Sequence, residues 1–340
     1  MKAVALTHYL PIDHPDAFLD VTLPTPTPSG RDLLVAVKAI AVNPVDTKVR
    51  APKAKVEETP RVLGWDAAGV VQAVGPDVSN FKVGDKVFYA GDITRPGTNS
   101  EFQLVDERIV GNMAVSHSFE QAAALPLTAI TAWEALFDRL KVSVPSQPTI
   151  LNKTILIIGG AGGVGSIAIQ LAAKVAGLTV IATASRPESE KWVRDLGAHH
   201  VVNHFGDVQS QLAECGFQTV DFVLILNDTD QHFPMAAAVI APQGMICTIV
   251  ENAKPLDVSL LKSKSAGFVW EFMFTRSMFQ TPDMQAQGDL LNEVARLIDS
   301  NVLVTTLGKV LLPINATNLR QAHAALEAGH VIGKIVLKDF

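Results

Sequence analysis

Between Lys153 and Lys174 the chain carries no charged residue, and Gly159, Gly160, Gly162, Gly163 and Gly165 interrupt this apolar stretch at its centre. Ile155-Leu156-Ile157-Ile158 reads as a buried strand, and Ile167, Ala168, Leu171 and Ala172 keep helical spacing beyond the glycines. A strand entering Gly160-x-Gly162-x-x-Gly165, then Gly163-Val164 opening a helix, can cradle a pyrophosphate. Gly160 permits the tight turn, Gly162 admits the phosphate to the backbone, Gly165 lets helix and strand pack, and the helix start offers unpaired N–H groups. The bland alternative is a Gly-rich turn with no ligand. A membrane span of this length is disfavoured, because each glycine would penalise a continuous helix by up to about 1 kcal/mol.

The end of the next strand selects the dinucleotide. An Asp or Glu about twenty residues on would bind a ribose 2′-hydroxyl, but the chain reads Ala184-Ser185-Arg186-Pro187. Ser185 can donate to a 2′-phosphate and Arg186 can pair with it through its planar fork, which points to NADPH. Arg186 as an ordinary solvated residue at a helix start is the competing reading. Asn227 and Val250, each at the carboxyl end of an expected strand, are where open α/β sheets bind ligands.

Other reactive side chains are sparse. His200 and His204 are four apart on what reads as a strand, a spacing too long for one metal ion. Cys215 and Cys247 read as buried small hydrophobes and cannot build a disulfide framework. With 28 Lys+Arg against 34 Asp+Glu, the net charge of −6 and the absence of a basic run argue against nucleic acid. No signal-peptide pattern opens the chain, which reads as cytoplasmic.

These residues need a scaffold, and 340 residues suffice for about two domains. The first third holds strand-like runs at Lys2 to Thr7, Leu33 to Val42, Ala67 to Val74, Lys86 to Tyr89 and Glu101 to Val105, broken by turn signals. Ser118-x-x-Gln121 has the form of a capping box and opens an Ala-rich helix that ends toward Pro126, and a helical bridge follows through Leu140. Strands at Thr154 to Ile158, Thr179 to Thr183, His200 to Val202, Phe222 to Leu226 and Met245 to Val250 then alternate with helices at Val164 to Ala176 and Glu188 to Leu196. That pattern indicates a doubly wound parallel sheet. A helix at Leu290 to Asp299, strand-like runs at Leu303 to Leu312, a helix at Asn318 to Ala328 and a strand at Ile332 to Leu337 return the chain to its first domain. The expected division is residues 1–126 with 275–340, and 127–274.

Ala41-Val42-Asn43-Pro44-Val45-Asp46, Leu63-Gly64-Trp65-Asp66-Ala67-Ala68-Gly69-Val70-Val71, Val74-Gly75, Phe81-Lys82-Val83-Gly84-Asp85-Lys86-Val87, Ala123-Ala124-Leu125-Pro126, Gly159 to Gly165 and Gly333-Lys334-Ile335-Val336-Leu337 together resemble the medium-chain dehydrogenase/reductases. The likeness is to the quinone oxidoreductase-like branch, which includes chains named zinc-type alcohol dehydrogenase-like. It implies an α/β protein with a GroES-like β-rich catalytic domain split across both termini, a Rossmann domain between, and an active site in the cleft. Zinc-dependent members place a cysteine where Asn43 stands and a histidine where Trp65 stands, and Tyr89 to Glu101 lacks the four cysteines of the structural zinc lobe. No metal is expected, since neither Asn43 nor Trp65 is a plausible donor.

The same resemblance places Asn43, Asp46, Thr47 and Trp65 beneath the nicotinamide and Thr131 at its end. Asn43 would hydrogen-bond a substrate carbonyl or the nicotinamide ribose, and Trp65 would offer a flat face to a planar substrate. Asp46 would either transfer protons or brace its loop, and Asp66 would hold the adjacent loop. His204 would lie near the adenine ribose, and Lys334 would face the pyrophosphate or be a solvated lysine. The loops 51–59 and 92–100 would shape the cleft. The expected activity is NADPH-dependent hydride transfer to a quinone or α,β-unsaturated carbonyl without zinc. The alternatives are a non-catalytic NADP(H)-binding protein and a zinc alcohol dehydrogenase. Gly267 to Phe274 is expected to be the edge strand that joins a homodimer.

Overall fold

The computed structural model describes residues 1–144 and 153–340. They form two compact units, Met1–Ile130 with Phe274–Phe340, and Thr131–Met273. In chain order the strands are β1 Lys2–Tyr9, β2 Leu19–Thr22, β3 Asp32–Ala41, β4 Lys53–Val62, β5 Asp66–Val74, β6 Lys86–Ala90, β7 Phe102–Asp106, β8 Val110–Asn112, β9 Thr154–Ile158, β10 Thr179–Thr183, β11 His200–Val202, β12 Val220–Ile225, β13 Ile240–Thr248, β14 Gly267–Trp270, β15 Leu307–Leu311 and β16 Lys334–Lys338.

The first unit holds a three-stranded sheet, β2-β1-β4, and a larger sheet, β15-β16-β3-β5-β6-β8, with β7 also paired to β3. The C-terminal strand β16 pairs antiparallel to β3, with Val336 opposite Ala41, and β3 pairs antiparallel to β5, with Ala41 opposite Asp66. Three segments far apart in sequence therefore end side by side. Residues 51–59 are not a loop, since β4 begins at Lys53. The run at 303–312 is strand only from Leu307 to Leu311.

The second unit is a six-stranded parallel sheet in the order β11-β10-β9-β12-β13-β14. Ile155 to Ile158 are buried, as a central strand covered on both faces requires. The order reverses between β9 and β12, so the carboxyl end of β9 is a topological switch point. The helix after the glycines is α-helical from Gly163 to Gln170 and continues as a π-helical turn, Leu171–Val175, rather than running as one α-helix. Two further helices, Val208–Glu214 and Thr229–Val239, complete the cover. No helix among the described residues is long and apolar enough to cross a membrane.

At the open edge of this sheet the strand is shorter than Gly267 to Phe274, ending at Trp270. Trp270 and Phe272 are exposed, while Glu271, Met273 and Phe274 are buried. Glu271 accepts from Arg139 Nε at 2.8 Å, and burial together with the neighbouring Glu134 pushes its carboxyl up to about 9. Cys247 is buried, and burial raises its thiol. Cys215 is half-exposed, not buried, because it ends the short helix at the surface.

Candidate active site

In the second unit the site is made of backbone. Gly159 N–H donates to Thr183 Oγ1 at 3.0 Å, which ties the turn after β9 to the end of β10. A Cβ at Gly165 would stand 2.4 Å from the Gly159 carbonyl oxygen and 2.6 Å from that of Gly160, so only glycine lets the helix start this close to the strand. At Gly162 the nearest atom to an added Cβ is Gly159 O at 3.5 Å, so the protein itself leaves that position room. The first N–H groups of the helix, those of Gly163, Val164 and Gly165, have no intrahelical acceptor and present partial positive charge. This cradle fits a pyrophosphate.

The remaining cofactor candidates of this unit follow the carboxyl ends of the neighbouring strands. Ser185 and Arg186, both half-buried, follow β10, and no carboxylate closes that strand. Arg186 is the N-cap of the Pro187–Leu196 helix, where its N–H donates to Ser189 Oγ at 3.1 Å and its carbonyl accepts from the same hydroxyl at 2.8 Å. These bonds fix its backbone at the helix start. His204, just beyond β11, is half-buried, its ring tilted against Phe205 at 4.4 Å, and burial lowers its pKa. Asn227 is exposed beyond β12, and the Val250 carbonyl beyond β13 accepts from Thr229 Oγ1. Thr131 is buried at the start of the unit.

The first unit builds its site from side chains. Asn43 caps the Pro44–Arg50 helix: its N–H donates to Asp46 Oδ2 at 2.6 Å. Gly64, at φ +90°, turns the chain into β5, and a side chain there would collide with Asn99 Oδ1 at 2.4 Å. Asp66 follows at the first position of β5. Its Oδ2 accepts from Asn43 Nδ2 at 2.8 Å and from Lys334 Nζ at 2.9 Å, while Oδ1 accepts from the Leu127 N–H at 2.7 Å. Lys334 Nζ also donates to the Val42 carbonyl at 2.9 Å and to Asn43 Oδ1. Lys334 is 3% exposed and Asp66 0% exposed, so this is a buried ion pair.

Lys334 is therefore not a solvated lysine. Its three ammonium protons have three protein acceptors, so the structure directs it to Asn43 and Asp66 and not to a pyrophosphate. Asp46 lies in the same cluster. Burial pushes its carboxyl up to about 7, against the lowering effects of the Asn43 N–H and the Lys334 charge, with Asp66 adding a further upward push. Its Oδ1 has no hydrogen-bond partner among the described residues. Thr47 Oγ1 is turned back to the Pro44 carbonyl at 2.8 Å. Trp65 is 1% exposed, its indole N–H donating to the Asp92 carbonyl at 3.2 Å and its ring edge-on to Phe274 at 5.8 Å. It is a packed wall, and the expected open face is not presented.

Two models of known families match the chain. An alcohol dehydrogenase GroES-like domain covers residues 29–128 and a zinc-binding dehydrogenase covers residues 196–337. A zinc-type alcohol dehydrogenase-like protein from Staphylococcus epidermidis is 41% identical over 338 residues, 99% of each chain. The chain belongs to the medium-chain dehydrogenase/reductase superfamily.

Among solved structures, a Rhizobium etli protein provisionally described as a zinc-dependent alcohol dehydrogenase is 53% identical with a TM-score of 0.95, covering 100% of this chain and 98% of that one. The quinone oxidoreductase from Coxiella burnetii is 27% identical with a TM-score of 0.79, covering 100% and 99%. The chain is accordingly an oxidoreductase of this superfamily, with a GroES-like unit and a Rossmann-like unit.

The zinc in those family descriptions meets a poor donor set. Zn²⁺ takes three or four N, S or O ligands, and no group of three His, Cys, Asp or Glu able to hold a metal occurs among the described residues. Around Asn43 there are two carboxylates: Asp66 already carries an ammonium ion at 2.9 Å, and Asp46 accepts from the Asn43 N–H at 2.6 Å. These residues do not fit zinc.

Proposed function

We propose that this oxidoreductase transfers hydride from NADPH to a quinone or an α,β-unsaturated carbonyl without a metal. The observation that carries the reading is the buried Lys334–Asp66 pair beside Asn43, a fixed cation where zinc-dependent relatives need ligands. When bound, the nicotinamide supplies a hydride. The glycine turn and the helix start hold the pyrophosphate, and Ser185 and Arg186 receive the 2′-phosphate, with His204 beside the ribose. Thr131, Asn227 and Val250 line the cofactor, Thr47 stands with Asn43 and Asp46 at the reacting centre, and Trp65 backs that centre from within the core.

The chemistry follows from where negative charge develops. A saturated ketone or aldehyde would place it on one oxygen, which a zinc ion would stabilise as a Lewis acid. Hydride addition to a quinone, or to the β-carbon of an enone, spreads the charge over a conjugated system, so an amide donor such as Asn43 and a proton from solvent suffice. Asp46 has a second use in this scheme, since a carboxyl titrating at about 7 can hold a proton at neutral pH. Exposed Trp270 and Phe272 beside the open edge of β14 favour a homodimer joined there.

The test is stopped-flow mixing of the NADPH-bound protein with a panel of quinones and enones. Oxidation of NADPH by members of the panel is expected. Tight NADPH binding with no oxidation across the panel would favour a non-catalytic dinucleotide-binding protein instead.

A further inference from the structure

We propose that Lys334 is a positioning residue that acts through Asn43, fixing its side-chain amide so that one Nδ2–H is left as the donor to the substrate oxygen. This rests on the role of Asn43 given above. The orientation of an amide is dictated by its neighbours. Here Lys334 Nζ, which can only donate, lies against one end of the Asn43 amide, and Asp66 Oδ2, which can only accept while ionised, lies 2.8 Å from the other. A flipped amide would face donor to donor and acceptor to acceptor.

The arrangement leaves a definite remainder. Asn43 Nδ2 has two protons, Asp66 takes one, and no acceptor for the second exists among the described residues. An ammonium ion on Oδ1 also polarises the amide and strengthens Nδ2–H as a donor. A cation thus reaches a developing oxyanion through one amide group, with no metal ligand required. The three acceptors of Nζ are buried groups from two segments, Val42-Asn43 and Asp66, which together fix its position.

Lys334→Met tests this in a cycle with Asn43→Ala, measuring kcat at saturating NADPH and the NADPH dissociation constant. Each single variant is expected to lower kcat about 100- to 1,000-fold, the range for one oxyanion donor, with the dissociation constant nearly unchanged. The double variant is expected to be no slower than Asn43→Ala alone. Additive losses, or a loss confined to NADPH affinity, would overturn the proposal and return Lys334 to the pyrophosphate. Because Lys334→Met strands the Asp66 charge, Asp66→Asn/Lys334→Met serves as a neutral pair that folds and still lacks the orienting cation. Its kcat should match Lys334→Met.

A readout free of any substrate separates this inference from the quinone and enone reading. In ¹⁵N-labelled protein the Asn43 side-chain NH₂ signal is assigned by its loss in Asn43→Ala. The two protons of a primary amide are distinct in any state, so the readout is shift and exchange: a downfield-shifted, slowly exchanging pair is expected in the wild type, and an upfield, faster-exchanging pair in the neutral double variant. An unchanged pair would refute the orienting role even if quinones are reduced, whereas an inert wild type with the expected signals would refute only the substrate class.

Discussion

Each unit carries a candidate site of its own, and the two are built in opposite ways. The glycine turn of the parallel-sheet unit is backbone geometry confined to Gly159–Gly165, where Gly159 takes a positive φ and a Cβ at Gly165 would strike the Gly159 and Gly160 carbonyls. The Lys334 cluster is side-chain chemistry drawn from positions 42 to 46, 66 and 334, joined only because β16, β3 and β5 are neighbours. A site made of local backbone tolerates surface change but not an added atom. A site made of buried charge tolerates neither loss of a partner nor change of ionisation.

The largest effect that could break this contrast is Asp66→Ala. Removing one partner of a buried pair leaves the Lys334 ammonium uncompensated, which costs about 3–5 kcal/mol. Urea denaturation should show that loss, and the neutral Asp66→Asn/Lys334→Met pair should recover most of it. A loss below about 1 kcal/mol would mean that water reaches the cluster.

The next effect is pH dependence. A carboxyl raised from 3.8 to about 7 keeps its proton in the folded state while the unfolded chain has lost it. Stability at Asp46 is therefore lost as pH rises from about 4 to about 7, by up to about 1.4 kcal/mol per pH unit. Asp46→Asn should flatten the dependence in that window, and a wild type whose unfolding midpoint rises with pH there relative to the variant would contradict the assignment.

How far each half was legible follows from the same contrast. The strands β9, β10 and β11 and the glycine turn are written in consecutive residues, and sequence periodicity places them correctly. The helices Val208–Glu214 and Thr229–Val239 were missed, the first because it is short and the second because Pro234 lies inside it, although Asp207 and Asp228 both cap with their side chains, Asp228 from a left-handed backbone. Asn43 and Asp46 were visible from the family pattern. The meeting of Lys334 with Asp66 was not, because it depends on sheet order across 268 residues of separation. A pairing of Gly333-Lys334 with the strand that precedes Asn43 would have been the signal.

Smaller effects sharpen the backbone half. Arg186→Ala should weaken NADPH by about 1.5–3 kcal/mol, the range for a hydrogen bond to a charged group, and leave NADH nearly unchanged. Isothermal titration with both cofactors decides it, and equal losses would remove Arg186 from the 2′-phosphate. Smallest in stability is Gly162→Ala, whose added Cβ meets only Gly159 O at an ordinary 3.5 Å. That variant should unfold within about 1 kcal/mol of wild type and yet bind the dinucleotide weakly, because the methyl group stands where the pyrophosphate approaches. Wild-type affinity would place the pyrophosphate elsewhere.

The most direct measurement of the metal-free hydride transfer is a comparison of one enone with its saturated ketone, using chelator-dialysed protein and NADPH under identical conditions. The structure leads us to expect steady NADPH oxidation with the enone, very little with the ketone, and no gain on adding Zn²⁺. Equal rates for the two substrates, or activity that appears only with added Zn²⁺, would contradict it.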